Sequence, residues 1–127
     1  MGDVPEDLKY TEEHEWVRVE GDVVSIGITD FAQNALTEVV WVELPETEIE
    51  VSAMESFASV ESVKSVSEIY APVAGTVTEV NQSLEDSPEQ INEDPYGSGW
   101  ICNTMVDPVV ELSGLLDAGS YSKLIGE

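Results

Sequence analysis

Short valine-rich bursts, each closed by a turn signal, run along this chain and predict strands with few and brief helices. Trp16-Val17-Arg18-Val19 alternates apolar and polar positions, Glu20-Gly21-Asp22 supplies a turn, and Val23-Val24-Ser25-Ile26-Gly27-Ile28 returns. Residues 15–28 therefore read as a β-hairpin. Thr29 or Asp30 is placed to cap a short helix through Phe31-Ala32-Gln33-Asn34-Ala35-Leu36. Val39-Val40-Trp41-Val42-Glu43-Leu44 is a strand stopped by Pro45. The acidic stretch from Glu46 to Ser52 leads to a further strand at Phe57-Ala58-Ser59-Val60.

That strand climbs to Val60-Glu61-Ser62-Val63-Lys64-Ser65-Val66-Ser67-Glu68, where small polar residues alternate with valine on both sides of one lysine. Ile69-Tyr70 descends, and Ala71-Pro72-Val73-Ala74-Gly75 punctuates the passage into the strand Gly75-Thr76-Val77-Thr78-Glu79-Val80. The pattern predicts a hairpin over about residues 57–70 with the Lys64 amine at its tip. Locally this fits two roles equally: a chemical handle, or an edge lysine that opposes aggregation. Gln82 to Gly99 reads as a long polar loop, longer than a connection requires, which suggests a functional surface. Trp100 to Val106 closes the sheet. Asp107-Pro108 then marks a helix start, and Leu112, Leu115 and Leu116 share one helical face within a C-terminal segment at about residues 107–125. Gly114 and Gly119 would divide that segment. A faint duplication places valine-rich strands in each half, meeting at Lys64.

Composition narrows the function. The 127 residues fit a single domain spanning 1–127. Against 27 acidic residues stand only Arg18, Lys9, Lys64 and Lys123, for a formal charge of −23. Phosphate binding needs a basic surface, so nucleic acid is excluded as a partner. Self-repulsion on this scale is tolerable where salt is abundant, and a halophilic source is expected. The acidic start, Met1 to Asp7, has neither the apolar core of a secretory signal nor the basic character of a transit peptide. No membrane contact and a cytoplasmic location are expected. Gly2 lacks the Ser or Thr of a myristoylation signal, since Glu6 stands there. Asn81-Gln82-Ser83 fits a glycosylation sequon but reads as a turn. The lone Cys102 reads as a small hydrophobe. A single histidine, His14, precludes a multi-histidine metal site, and its expected role is to fix the turn before Trp16. Trp16, Trp41 and Trp100 read as core.

Several motifs occur in order: Leu8-Lys9-Tyr10-Thr11, His14-Glu15-Trp16-Val17, Gly27-Ile28-Thr29-Asp30-Phe31-Ala32-Gln33, Val42-Glu43-Leu44-Pro45, Glu61-Ser62-Val63-Lys64 and Tyr70-Ala71-Pro72-Val73-Ala74-Gly75. Glu85-Asp86-Ser87-Pro88, Asn92-Glu93-Asp94-Pro95-Tyr96-Gly97 and Gly99-Trp100 follow. Together they resemble the H-protein family of the glycine cleavage system over roughly residues 8–124. The resemblance implies a mainly β barrel-sandwich hybrid of the biotinyl/lipoyl-carrier type, with lipoic acid joined to Lys64 and no catalytic residue or metal. It implies a shuttle, not an enzyme, that moves the aminomethyl group of glycine from a pyridoxal-phosphate glycine decarboxylase (P protein) to a tetrahydrofolate-dependent aminomethyltransferase (T protein). Dihydrolipoamide dehydrogenase (L protein) and a lipoate-attaching enzyme complete the partners, and the carrier is expected to be a monomer. In such proteins the loaded arm folds into a surface cleft that protects its cargo. By position Glu15 and Glu68 would line that cleft, and Glu61 would guide the attaching enzyme.

Three departures touch turn geometry and partner contacts: Met54 where a turn glycine is usual, Ala58 for a strand glycine, and Asn103-Thr104 for a basic stretch. Biotin carriers flank their lysine with methionines, whereas here the neighbours are Val63 and Ser65. The 2-oxoacid dehydrogenase lipoyl domains carry Asp-Lys-Ala and flexible linkers, which are missing here. Two alternatives stay open: a lipoyl relay that donates lipoyl groups to other enzymes, and an acidic interaction domain with Lys64 unmodified.

Overall fold

A computed structural model describes residues 4–106 and 115–126. Among the described residues, nine strands and four short helices follow in order: β1 Lys9–Tyr10, β2 Glu15–Glu20, β3 Val23–Ile28, α1 Asp30–Leu36, β4 Val39–Glu43, β5 Glu50–Val51, β6 Ser56–Ser62, β7 Val66–Tyr70, β8 Gly75–Val80, α2 Ser83–Asp86, α3 Gln90–Glu93, β9 Cys102–Met105 and α4 Ala118–Leu124. One sheet has six strands in the order β1-β2-β3-β9-β8-β5, and the other has three, β4-β6-β7. Every pairing is antiparallel. Val24 and Ile26 of β3, Val77 of β8 and Cys102 of β9 meet Val42 of β4, Val60 of β6 and Ile69 of β7 in one buried cluster, which makes the two sheets a sandwich. The six-stranded sheet takes strands from both sides of Lys64, so the sheets do not divide the chain into its two sequence halves.

The β2–β3 hairpin forms in the register that alternation requires, Glu20 opposite Val23 around the turn, with Gly21 at a φ of 65°. Gly27 lies flat under the Trp16 indole, where a Cβ would come within 2.6 Å of ring carbons. Trp16 is thereby fully buried and donates its Nε1–H to the Pro95 carbonyl at 2.9 Å. Thr29 is the N-cap of α1, its hydroxyl accepting the Ala32 N–H at 3.2 Å.

Four expectations are corrected. Trp41 is 52% exposed. A bulge between Val39 and Trp41 breaks the alternation of β4, turning both Val40 and Trp41 outward while Val42 stays buried. Residues 82–99 are not plain loop: α2 and α3 bury Leu84 and Ile91, and Asn92 bonds Val39 N–H, Gln33 Oε1 and the Thr37 carbonyl. Leu115 and Leu116 are not helical. Leu116 exchanges two backbone hydrogen bonds with Tyr10, at 2.8 and 2.7 Å, and the helix begins only at Ala118 after the Asp117 cap. Gly119 therefore sits inside α4 instead of ending a helix. The proposed start at Asp107-Pro108, together with Leu112 and Gly114, lies outside the described residues. His14 does fix the turn before Trp16, through its backbone N–H, which donates to the Thr11 carbonyl at 3.1 Å, while its ring Nδ1 reaches Tyr121.

Asn81 spends its amide on the Ser98 and Trp100 carbonyls, both at 2.8 Å, which suits a buried turn. Cys102 is buried, and burial pushes its thiol up to about 12, so it is inert at neutral pH. Asn103 is knit into the six-stranded sheet by bonds with Ser25 and Glu79. Met54 adopts a φ of 69°, the left-handed conformation that favours glycine, with its side chain 56% exposed. Met54→Gly removes that strain at little loss of burial. We expect it to raise stability by about 0.5–1 kcal/mol, net of the entropy glycine adds to the unfolded chain. A thermal melt checks this, and a lower midpoint for the variant would contradict it.

Candidate carrier site

The turn between β6 and β7 is built around Ser62. Its buried hydroxyl accepts the N–H of Lys64 at 3.1 Å and of Ser65 at 3.0 Å, while its own N–H donates to the Ser65 carbonyl at 2.8 Å. Val63 N–H donates to the Glu38 carbonyl at 3.0 Å, anchoring the tip to the connection after α1. Small polar residues flank the lysine because the turn needs a short hydroxyl that folds back on its own backbone. Val63 and Val66 stand exposed on either side of Lys64. The Lys64 amine reaches only the Ala35 carbonyl, at 3.4 Å, among the described residues. It is presented to solvent on a rigid pedestal.

Ala35 also belongs to the wall of a cleft of about 210 Å³. α1 supplies Phe31, Ala32, Ala35 and Leu36 to one side, and β6 and β7 supply Val60, Ser67, Glu68 and Ile69 to the other. Glu13, His14, Glu15 and Ile28 complete the lining. The structure thus places Glu15 and Glu68 in one cleft next to the lysine turn. Glu61 is not in it; it is exposed on β6, opposite Trp41 and Val66.

Glu15 is the unusual acid, being 1% exposed. Thr11 Oγ1 donates to one carboxyl oxygen at 2.6 Å and Tyr70 N–H to the other at 3.2 Å. Burial outweighs these two bonds and pushes its pKa up to about 7. The His14 imidazole is shifted the other way, downward, because burial outweighs the nearby Glu13 carboxylate. A buried carboxyl beside an apolar groove is thus poised to ionise when a cation arrives.

A raised acid pKa has a definite sign in stability. The neutral Glu15 carboxyl is favoured by the fold, so its contribution is fully present below the ordinary 4.5 and is lost as pH rises through about 7. Relative to Glu15→Gln, we expect the unmodified chain to lose up to about 3 kcal/mol between pH 4.5 and 8. Denaturant titrations at both pH values check this. Parallel pH dependence in the two proteins would contradict it.

Sequence reading alone missed the α1 face and Tyr121. Alternation of Phe31, Ala32, Ala35 and Leu36 at helical spacing signals an apolar face, but nothing local says that part of it lines a cleft. Tyr121 lies 107 residues from its partner His14 and carries no sequence signal.

Two antiparallel sheets presenting one lysine on a hairpin, beside an apolar cleft edged with carboxylates, make a carrier domain of the barrel-sandwich type. The chain belongs to the glycine cleavage H-protein family, whose model matches residues 8–127. It is 56% identical over 124 residues to the glycine cleavage system H protein of Staphylococcus carnosus and 52% identical to that of Staphylococcus epidermidis, with 98% of both chains covered in each case. Its fold superposes with a TM-score of 0.89 on the crystal structure of a glycine cleavage system H protein from Mycobacterium marinum. That protein is 42% identical, and the match covers 98% of this chain and 100% of the other. Members of this family carry lipoate covalently on a lysine.

Proposed function

We propose that this chain is the lipoyl-carrying shuttle of a glycine cleavage system, with lipoate joined to Lys64. The observation that carries the assignment is the placement of Lys64 at a Ser62-stapled hairpin tip adjoining the apolar cleft. The attached group supplies a flexible arm whose paired sulfurs exchange between disulfide and dithiol and carry the aminomethyl cargo.

The residues present fit such an arm. Val63 and Val66 leave the tip open to an attaching enzyme, and exposed Glu61 on the same strand as Ser62 marks the approach. Phe31, Ala32, Leu36 and Ile69 offer an apolar bed of the right character for a hydrocarbon chain and ring. Glu15 and Glu68 face the same space and would hold a cationic cargo end. A charge-assisted bond to Glu15 contributes about 1.5–3 kcal/mol. An arriving ammonium also draws Glu15 to its ionised form, so seating the loaded arm releases a proton near neutral pH. By excluding water the cleft protects the cargo between partners.

In this role the chain turns over nothing. Its partners are glycine decarboxylase (P protein), the aminomethyltransferase (T protein), dihydrolipoamide dehydrogenase (L protein) and the lipoate-attaching enzyme. Among the described residues no helix is long and apolar enough to cross a membrane, which suits a cytoplasmic place beside those enzymes.

The discriminating experiment follows carboxyl-labelled glycine with the decarboxylase present. The lipoylated chain is expected to support release of labelled carbon dioxide and to gain the aminomethyl mass. A lipoylated chain that accepts nothing from glycine, yet donates its lipoyl group to another apo-protein, would replace the shuttle with a relay.

A further inference from the structure

The C-terminal helix reaches the residues that support the cleft wall, His14 and Thr29, through one side chain. Tyr121 of α4 is fully buried, stacked on the Tyr10 ring at a centroid distance of 4.6 Å and 10° from parallel. Its hydroxyl lies 2.8 Å from His14 Nδ1 and 2.7 Å from Thr29 Oγ1. One hydroxyl proton and two lone pairs allow both bonds at once. His14 and Thr29 are also joined directly, Thr29 N–H donating to the His14 carbonyl at 3.0 Å.

Both residues control walls of the cleft. His14 lines it and packs against Phe31 with centroids 4.8 Å apart. Thr29 caps α1, which carries Phe31, Ala32 and Ala35. His14 sits at a φ of 70°, in the sparsely populated left-handed region, where bonds from its surroundings help to hold it. The geometry points to Tyr121 as a positioning residue: its hydroxyl ties His14 and the start of α1 together, so that α4 latches the cleft in the shape that shelters the loaded arm. This rests on the reading that the arm seats there. The cleft contains no residue of α4, yet its rigidity depends on that helix.

The test compares the full-length chain with Tyr121→Phe, which keeps the ring stack and deletes the hydroxyl. Nitrogen NMR of the His14 ring, taken on the unmodified proteins, reads the latch directly. The Nδ1 signal is expected to move toward that of free imidazole in the variant. On the lipoylated and loaded proteins, spontaneous ammonia release is expected to be about tenfold faster in Tyr121→Phe. Val24→Ala, a core truncation at a residue that does not itself line the cleft, serves as a destabilised control and is expected to release ammonia at the wild-type rate. An unmoved Nδ1 signal, an unchanged release rate in Tyr121→Phe, or equal acceleration in Val24→Ala would overturn the latch. If the wild-type chain releases ammonia no more slowly than a loaded lipoyl peptide, the cleft-seating reading fails and takes the latch with it. Should Tyr121→Phe not fold, His14→Asn removes the same bond while tolerating the positive φ, with the same expected acceleration.

Discussion

Lys64→Arg is expected to remove lipoylation completely and, with it, every glycine-dependent turnover the chain supports. Acylation needs an amine that loses its proton to attack an activated carboxyl, and guanidinium stays protonated at any working pH. No other lysine substitutes. Lys9 lies in β1 and Lys123 in α4, and neither is held on a turn like the one Ser62 builds. The fold should scarcely register the change. The Lys64 amine makes one long contact, 3.4 Å to the Ala35 carbonyl, and surface substitutions of this kind fall within about 0.5 kcal/mol. Intact mass after co-expression with the attaching enzyme, paired with a thermal melt, reads both parts. An arginine variant that still gained a lipoyl group would move the site elsewhere. A variant that failed to fold would mean the amine holds the hairpin together.

The second large effect is salt. Twenty-seven acids against four basic residues leave a formal charge of −23. Two like charges 10 Å apart in water repel by about 0.4 kcal/mol before screening. Repeated over so many acids, the repulsion reaches several kcal/mol, a large share of the roughly 5–15 kcal/mol net stability of a domain. The Debye length falls from about 10 Å at 0.1 M to about 3 Å at 1 M, so most of that repulsion disappears in molar salt. We expect the melting midpoint to rise by roughly 10–20 °C between 0.05 and 1 M potassium chloride. A midpoint independent of salt would show that the acids are spaced widely enough not to matter, and would remove the reason to expect a salt-rich setting.

How much of this was legible in the sequence depends on the range of the interaction. The β2–β3 hairpin and the Thr29 cap are local: alternation, a Glu-Gly-Asp turn and a capping hydroxyl each act within a few residues. The bulge in β4 is not local. Whether Val39-Val40-Trp41 keeps strict alternation depends on how β6 pairs with it, and the slip that exposes Trp41 leaves no mark in the hydropathy. At Leu115-Leu116, helical spacing lost to two backbone bonds with Tyr10, a partner over a hundred residues away. The polar run from Gln82 to Gly99 hid two short helices, because four-residue helices held by Leu84 and Ile91 are too brief for periodicity to register. At the site, the Lys64 tip is legible in the valine–polar alternation around it, whereas Glu15, Glu61 and Glu68 stand out only through the family resemblance. That Glu15 is sealed from water, and so has its pKa pushed up to about 7, follows only from the packing of β2 against α1 and β7.

The central claim is that Lys64 carries the arm. Intact mass and peptide mapping of protein purified from its native, lipoate-competent cells test it most directly. The account predicts a single lipoyl adduct, located on Lys64. A bare Lys64 in cells whose other lipoyl proteins are fully modified, or a biotinyl group in its place, would contradict it.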